Sequence, residues 1–72
     1  MQKQLYDTEV LRAVKLLWRF GPKSIAQIAQ AFAITVERAA AVISVAEEYG
    51  HVSMLDNLYQ IQPLGKLIFE PT

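Results

Sequence analysis

The chain has 72 residues, enough for one domain and no more, and its 7 lysines and arginines balance its 7 aspartates and glutamates, for a formal net charge of zero. Hydrophobic residues make up 53% and charged residues 19%, which is too apolar for a disordered tail. No apolar run nears the ~20 residues of a membrane span, and the lack of cysteine excludes a disulfide framework and a thiolate metal site.

The neutral balance also withholds the basic excess that usually feeds phosphate contacts. Nucleic acid as a partner would require charge to be segregated onto one face. The opening residues Met1-Gln2-Lys3-Gln4-Leu5 hold no apolar signal-peptide core, so a cytoplasmic protein is expected. Met1 and Pro71-Thr72 read as the ends of a complete domain over residues 1–72.

Punctuation at Gly21-Pro22, Gly50, Asp56-Asn57, Pro63, Gly65 and Pro71 cuts the chain into segments of readable period. Residues 7–20 form the first. Asp7 or Thr8 can accept the first free amides of a helix. Val10, Leu11, Val14, Leu17 and Trp18 recur at three- and four-residue steps, the mark of a buried helical face, with Arg12, Lys15 and Arg19 on the other side. Gly21 can close the helix in the left-handed conformation, and Pro22 cannot continue it.

A short second helix is predicted over residues 24–32. Ser24 caps it, Gln27 is the capping-box partner three residues on, and Ile25, Ile28, Ala29 and Phe32 face inward. After a tight turn at Ala33-Ile34, Thr35 caps a third helix to about residue 49. Its buried stripe is Ala39, Val42, Ile43, Ala46 and Tyr49, and Gly50 ends it. A short helix, a tight turn and a longer helix make a helix-turn-helix.

Beyond Gly50 the period becomes alternating. Residues 51–55 and 58–62 read as two strands joined by the turn residues Asp56-Asn57. Pro63 stops the second strand, because proline donates nothing to a ladder. Leu64, Leu67, Ile68 and Phe69 follow as an apolar tail with room for one helical turn. The expected fold is therefore mainly α with a small β-hairpin: three helices and a two-stranded wing.

Residues 10–68 resemble the winged helix-turn-helix superfamily of small bacterial and phage regulators. The most specific stretch begins at Ala33-Ile34-Thr35 and closes with Glu47-Glu48-Tyr49-Gly50-His51-Val52, which resembles the family's turn, recognition helix and acidic lead into the wing. Leu58-Tyr59-Gln60-Ile61-Gln62-Pro63-Leu64-Gly65 is similar to its second wing strand with the Pro and Gly that follow. The resemblance implies that the outer face of the third helix enters a DNA major groove and that the wing reaches the backbone or minor groove. The implied groove-facing residues are Thr35, Val36, Glu37, Arg38, Ala40, Ala41 and Ser44, and the implied wing tip is Leu55, Asp56, Asn57 and Leu58. It also implies phosphate contacts at the start of the second helix, from Lys23, Ser24 and Gln27.

Among these positions only Arg38 offers a bidentate donor to a base edge. Ala40 and Ala41 can touch a thymine methyl, and Glu37 can accept from cytosine but meets phosphate repulsion. The wing tip holds an aspartate, two leucines and no cation. Each candidate has a plainer alternative: Arg38 as a solvated partner of a nearby acid, Ser24 as a cap, Lys15 and Arg19 as a solvated face. His51 is read as a side chain at the start of a strand, and the aromatics as mostly core. Two leucines at a turn tip hint at a contact surface, unless the hairpin folds back over the third helix.

No nucleophile-base constellation, phosphate loop, metal spacing or cofactor motif is present, and Glu47 and Glu48 are adjacent rather than paired. An enzyme is not expected. Two functions remain open. One is a DNA-binding transcriptional regulator with duplex DNA as partner, dimerising through the first helix and the tail from Leu64 to Phe69. The other is a protein-binding winged-helix module, such as a phage-encoded inhibitor or adaptor of a host protein, using Val36, Ala40, Leu55 and Leu58. Convergence of Lys15, Arg19, Lys23 and Arg38 on the third helix would favour DNA; scatter, together with Val36, Ala40, Leu55 and Leu58 forming one apolar patch, would favour a protein partner.

Overall fold

Helices start where a side chain can satisfy their first free amides, and two of the predicted starts do so here. In the computed structural model, which describes residues 8–70, Ser24 precedes α2 (Ile25–Phe32). Its hydroxyl accepts the Gln27 amide at 3.1 Å, and the Gln27 side-chain oxygen accepts the Ser24 amide at 2.9 Å, a complete capping box. The Thr35 hydroxyl accepts the Arg38 amide at 3.0 Å and opens α3 (Val36–Glu48). In α1 (Thr8–Phe20), Thr8 is already helical, and the cap predicted at Asp7 lies outside the described residues.

Gly21 closes α1 at φ +86°, with its amide on the Leu17 carbonyl at 3.0 Å. Between α2 and α3 the closing residue is not glycine. Ala33 sits in the left-handed region at φ 56°, and the Ile34 amide returns to the Ala29 carbonyl at 3.0 Å. The chain axis turns by 108° between α2 and α3, within the range of a helix-turn-helix.

The wing is an antiparallel pair, β1 (Val52–Leu55) and β2 (Leu58–Ile61), with Val52 opposite Ile61 and Leu55 opposite Leu58. Asp56 and Asn57 take φ of 54° and 65°, both positive as a type I′ hairpin turn requires. One connection was not predicted. Lys23, in the α1–α2 loop, pairs with Tyr59 through two backbone bonds, Lys23 N–H to Tyr59 O at 3.0 Å and Tyr59 N–H to Lys23 O at 2.7 Å. This bridge ties the wing to the helices alongside Val52, which is buried in the helical core.

The tail is longer than the single turn expected, and it adds a fourth helix to the three expected. Pro63 stops the strand and also opens α4 (Pro63–Phe69), since a first-turn proline gives up no helical bond. The Gln62 amide donates to the His51 carbonyl at 2.8 Å and holds α4 over the base of the hairpin. Gly65 is buried there, close to the same carbonyl.

The core is aliphatic. Val10, Ala13, Val14 and Leu17 from α1 meet Ile28 and Ala29 from α2, Ala39, Val42, Ile43 and Ala46 from α3, and Val52 from β1. The aromatic residues do not form it, contrary to expectation. Phe20, at the last position of α1, is 63% exposed, and Tyr49, placed in the buried stripe by its spacing, is 43% exposed. Both stand at helix ends, where the chain leaves the packed layer. Tyr49 stacks on His51 with centroids 5.5 Å apart. Trp18, Phe32, Tyr59 and Phe69 are half-buried at the core's border, and Leu11 is half-buried as well. Trp18 stacks on Phe69 at 4.9 Å, and its indole N–H donates to the Glu70 carboxylate. No single helix among the described residues is long and apolar enough to cross a membrane.

Candidate nucleic-acid interface

The buried residues of α3 fix which residues point away from the core. Ala39, Val42, Ile43 and Ala46 face inward. By helical spacing the opposite stripe is Glu37, Ala41, Ser44 and Glu48, all exposed. Val36, Ala40 and Glu47 flank it on one side and Arg38 on the other. The outermost line of the implied recognition helix thus carries two carboxylates and no cation.

Arg38 is engaged with α1. Its Nη2 lies 2.5 Å from Glu9 Oε1 and its Nε 3.1 Å from Glu9 Oε2, a bidentate pair between elements 29 residues apart. The hydrogen bond from Arg38 is the main reason the Glu9 carboxyl is held below its ordinary pKa; partial desolvation opposes it, and the charges of Arg38 and Arg12 add to it. Both side chains are solvent-accessible, so solvent and salt screen the pair.

The other implied contacts divide in two. Ser24, Gln27 and Thr35 spend their side chains on capping. Lys23, half-buried, is fixed by its backbone bridge to Tyr59 just before α2. At the wing, Leu55, Asp56, Asn57 and Leu58 are all exposed, so the hairpin does not fold back to hide its leucines. Met54 is exposed too. Next to Leu58 on β2, burial first and then the charge of Glu47 raise the Tyr59 phenol above its ordinary pKa.

The cations do not converge on α3. Arg12, Lys15 and Arg19 lie along α1 and line a groove of about 300 Å³ with Leu16, Phe20 and Phe32. Arg12 stands 5.8 Å from the Phe32 ring centre and Arg19 the same distance from that of Phe20. His51 is buried immediately before β1, and burial lowers its pKa. Among the described residues no group of three or more His, Cys, Asp or Glu could hold a metal ion. The sequence reading missed Glu9 as the partner of Arg38 and Tyr59 as the anchor of Lys23, because both partners are distant along the chain.

No family model and no curated protein sequence matches the chain. A solved structure does: a MarR-like transcriptional regulator from Thermotoga maritima, 27% identical, aligned over 89% of this chain with a TM-score of 0.81. The chain spans half the length of that protein. With the capped helix pair, the turn at Ala33 and the hairpin bridged to Lys23, this likeness makes the chain a protein of the winged helix-turn-helix fold.

Proposed function

We propose that residues 1–72 act as one winged-helix domain, a DNA-binding transcriptional regulator that works as a homodimer in the cytoplasm. The observation that carries this reading is the likeness to a MarR-like transcriptional regulator over 89% of the chain. On this reading α3 enters the major groove. Arg38 exchanges Glu9 for the O6 and N7 of a guanine, Glu37 accepts from a cytosine amine, and Ala41 meets a thymine methyl. Ser44 lies on that outward face, Thr35 caps the leading end of α3, Lys23 and the capped start of α2 at Ser24 and Gln27 take a phosphate, and Asp56 and Asn57 lead the wing. The dimer uses α1 and α4, where Leu64 and Leu67 remain exposed while Phe69 packs on Trp18.

Fluorescence anisotropy with duplex DNA tests this between ~50 and 200 mM salt, where a phosphate-driven complex weakens steeply. Arg38→Ala and Lys23→Ala should weaken binding, and Glu9→Gln should strengthen it by removing a carboxylate that competes with DNA for Arg38. Absence of binding at the lowest salt overturns the proposal.

A second reading is favoured by one observation: the outward stripe of α3 is acidic at both ends and small in the middle. A protein partner using that stripe, with Val36, Ala40, Leu55 and Leu58, fits such a surface. No metal or cofactor has a role in either reading.

A further inference from the structure

The net charge of zero conceals a segregation. On α1, the stripe opposite the buried residues is Thr8, Arg12, Lys15 and Arg19, all exposed. Beside it the groove floor is apolar, formed by Leu16, Phe20 and Phe32. On α3, the corresponding outward stripe is Glu37, Ala41, Ser44 and Glu48, with Glu47 alongside. One helix thus presents three cations around exposed aromatic surface, and another presents carboxylates around small residues.

We propose that the α1 groove is a docking site for the α3 face of a second copy of this chain. Charge complementarity identifies the occupant, because the groove's cations and the stripe's carboxylates occur on opposite sites of the same molecule. The dimensions agree. At 1.5 Å per residue, Glu37 and Glu48 stand about 16 Å apart along their helix, and Arg12 and Arg19 about 10 Å along theirs. Two arginine side chains reach across the difference. Ala41 and Ser44, between the carboxylates, leave room for Phe20 and Leu16 to approach the helix backbone.

The groove and the stripe lie on different helices, so the contact is head-to-tail, and the pair as a whole keeps one free groove and one free stripe. Association of this kind grows stepwise rather than closing as a symmetric pair. It does not rest on the DNA reading, with which it competes for the outward face of α3, and it is separate from a dimer made through Leu64 and Leu67. Exposed ion pairs are individually weak and screened by salt, so the assembly is a low-affinity, salt-sensitive one.

Sedimentation velocity across a concentration series, at low salt and at ~1 M, tests it. The wild type should show a concentration-dependent step at low salt that is lost at high salt, where the Debye length falls to about 3 Å. The variants R12E/R19E and E37R/E48R should each lose that step, and an equal mixture of the two should regain it. Circular dichroism confirms that both variants fold. Three results overturn the proposal: no salt-sensitive step in the wild type, a step that survives in either variant, or a mixture that fails to associate. A dimer that persists at ~1 M salt and in both variants reports on the apolar α1–α4 surface instead, so the two interfaces are read separately.

Discussion

The hairpin has two unlike ends. At its base Val52 is buried opposite Ile61, the His51 carbonyl accepts the Gln62 amide, and Gly65 of α4 presses against the same carbonyl. At its tip Leu55 and Leu58 also face each other, but they are 60% and 38% exposed. The strands are continuous and the register is the same throughout. The difference is in what covers them: α4 and the core at one end, solvent at the other. Pairing alone stabilises a two-stranded ribbon little, so the wing takes its order from the base and leaves its tip available for contact.

The largest effect should come from crowding the base. A Cβ at position 65 would stand 2.5 Å from the His51 carbonyl oxygen and 3.0 Å from Ile61 Cγ1. The first neighbour is backbone and cannot swing aside. Gly65→Ala should cost about 1–3 kcal/mol in urea unfolding, and an unchanged midpoint would show that α4 is not clamped there. Ala33 provides a control away from both ends. It holds φ 56° without being glycine, so Ala33→Gly should add about 1 kcal/mol by removing left-handed strain.

A smaller effect should follow pH. Burial lowers the His51 pKa below its ordinary 6.5, so the unfolded chain binds the proton first. Stability is then complete above 6.5 and is lost as pH falls through the folded value. His51→Gln should flatten the unfolding midpoint between about pH 7.5 and 5.5. Glu9, also lowered, acts in a separate window below 4.5. The smallest change should be at the tip: Leu55→Ser with Leu58→Ser should move stability by no more than about 0.5 kcal/mol. A larger loss would mean that the tip carries more of the fold than its exposure allows.

What was legible in the sequence followed the range of the interaction. The capping box of Ser24 and Gln27, the cap at Thr35 and the Asp56-Asn57 turn act over three residues or fewer, and each stands where its local chemistry places it. Periodicity found the aliphatic core but misplaced Tyr49, because helical spacing cannot register that the chain leaves the packed layer at Gly50. The second turn of α4 was hidden because its order comes from Trp18, 51 positions from Phe69, rather than from its own glycine-containing sequence. The elements that carry the candidate positions, α3 and the wing, were legible from local pattern. Which acid pairs with Arg38 was not, since Arg38 meets Glu9 only after α1 and α3 have packed.

The Lys23–Tyr59 bridge also sets a hierarchy in time. Local opening frees amides wherever a segment can detach without disturbing the core. The tip can open alone, so the amides of residues 54–58 should exchange with solvent through rapid fraying. The Lys23 and Tyr59 amides each bond to the other residue's carbonyl, and the first belongs to the loop between two core helices. Freeing them requires the hairpin to leave the helices. A loop residue outside every helix should therefore be among the slowest to exchange, marking the seam at which wing and helices come apart together.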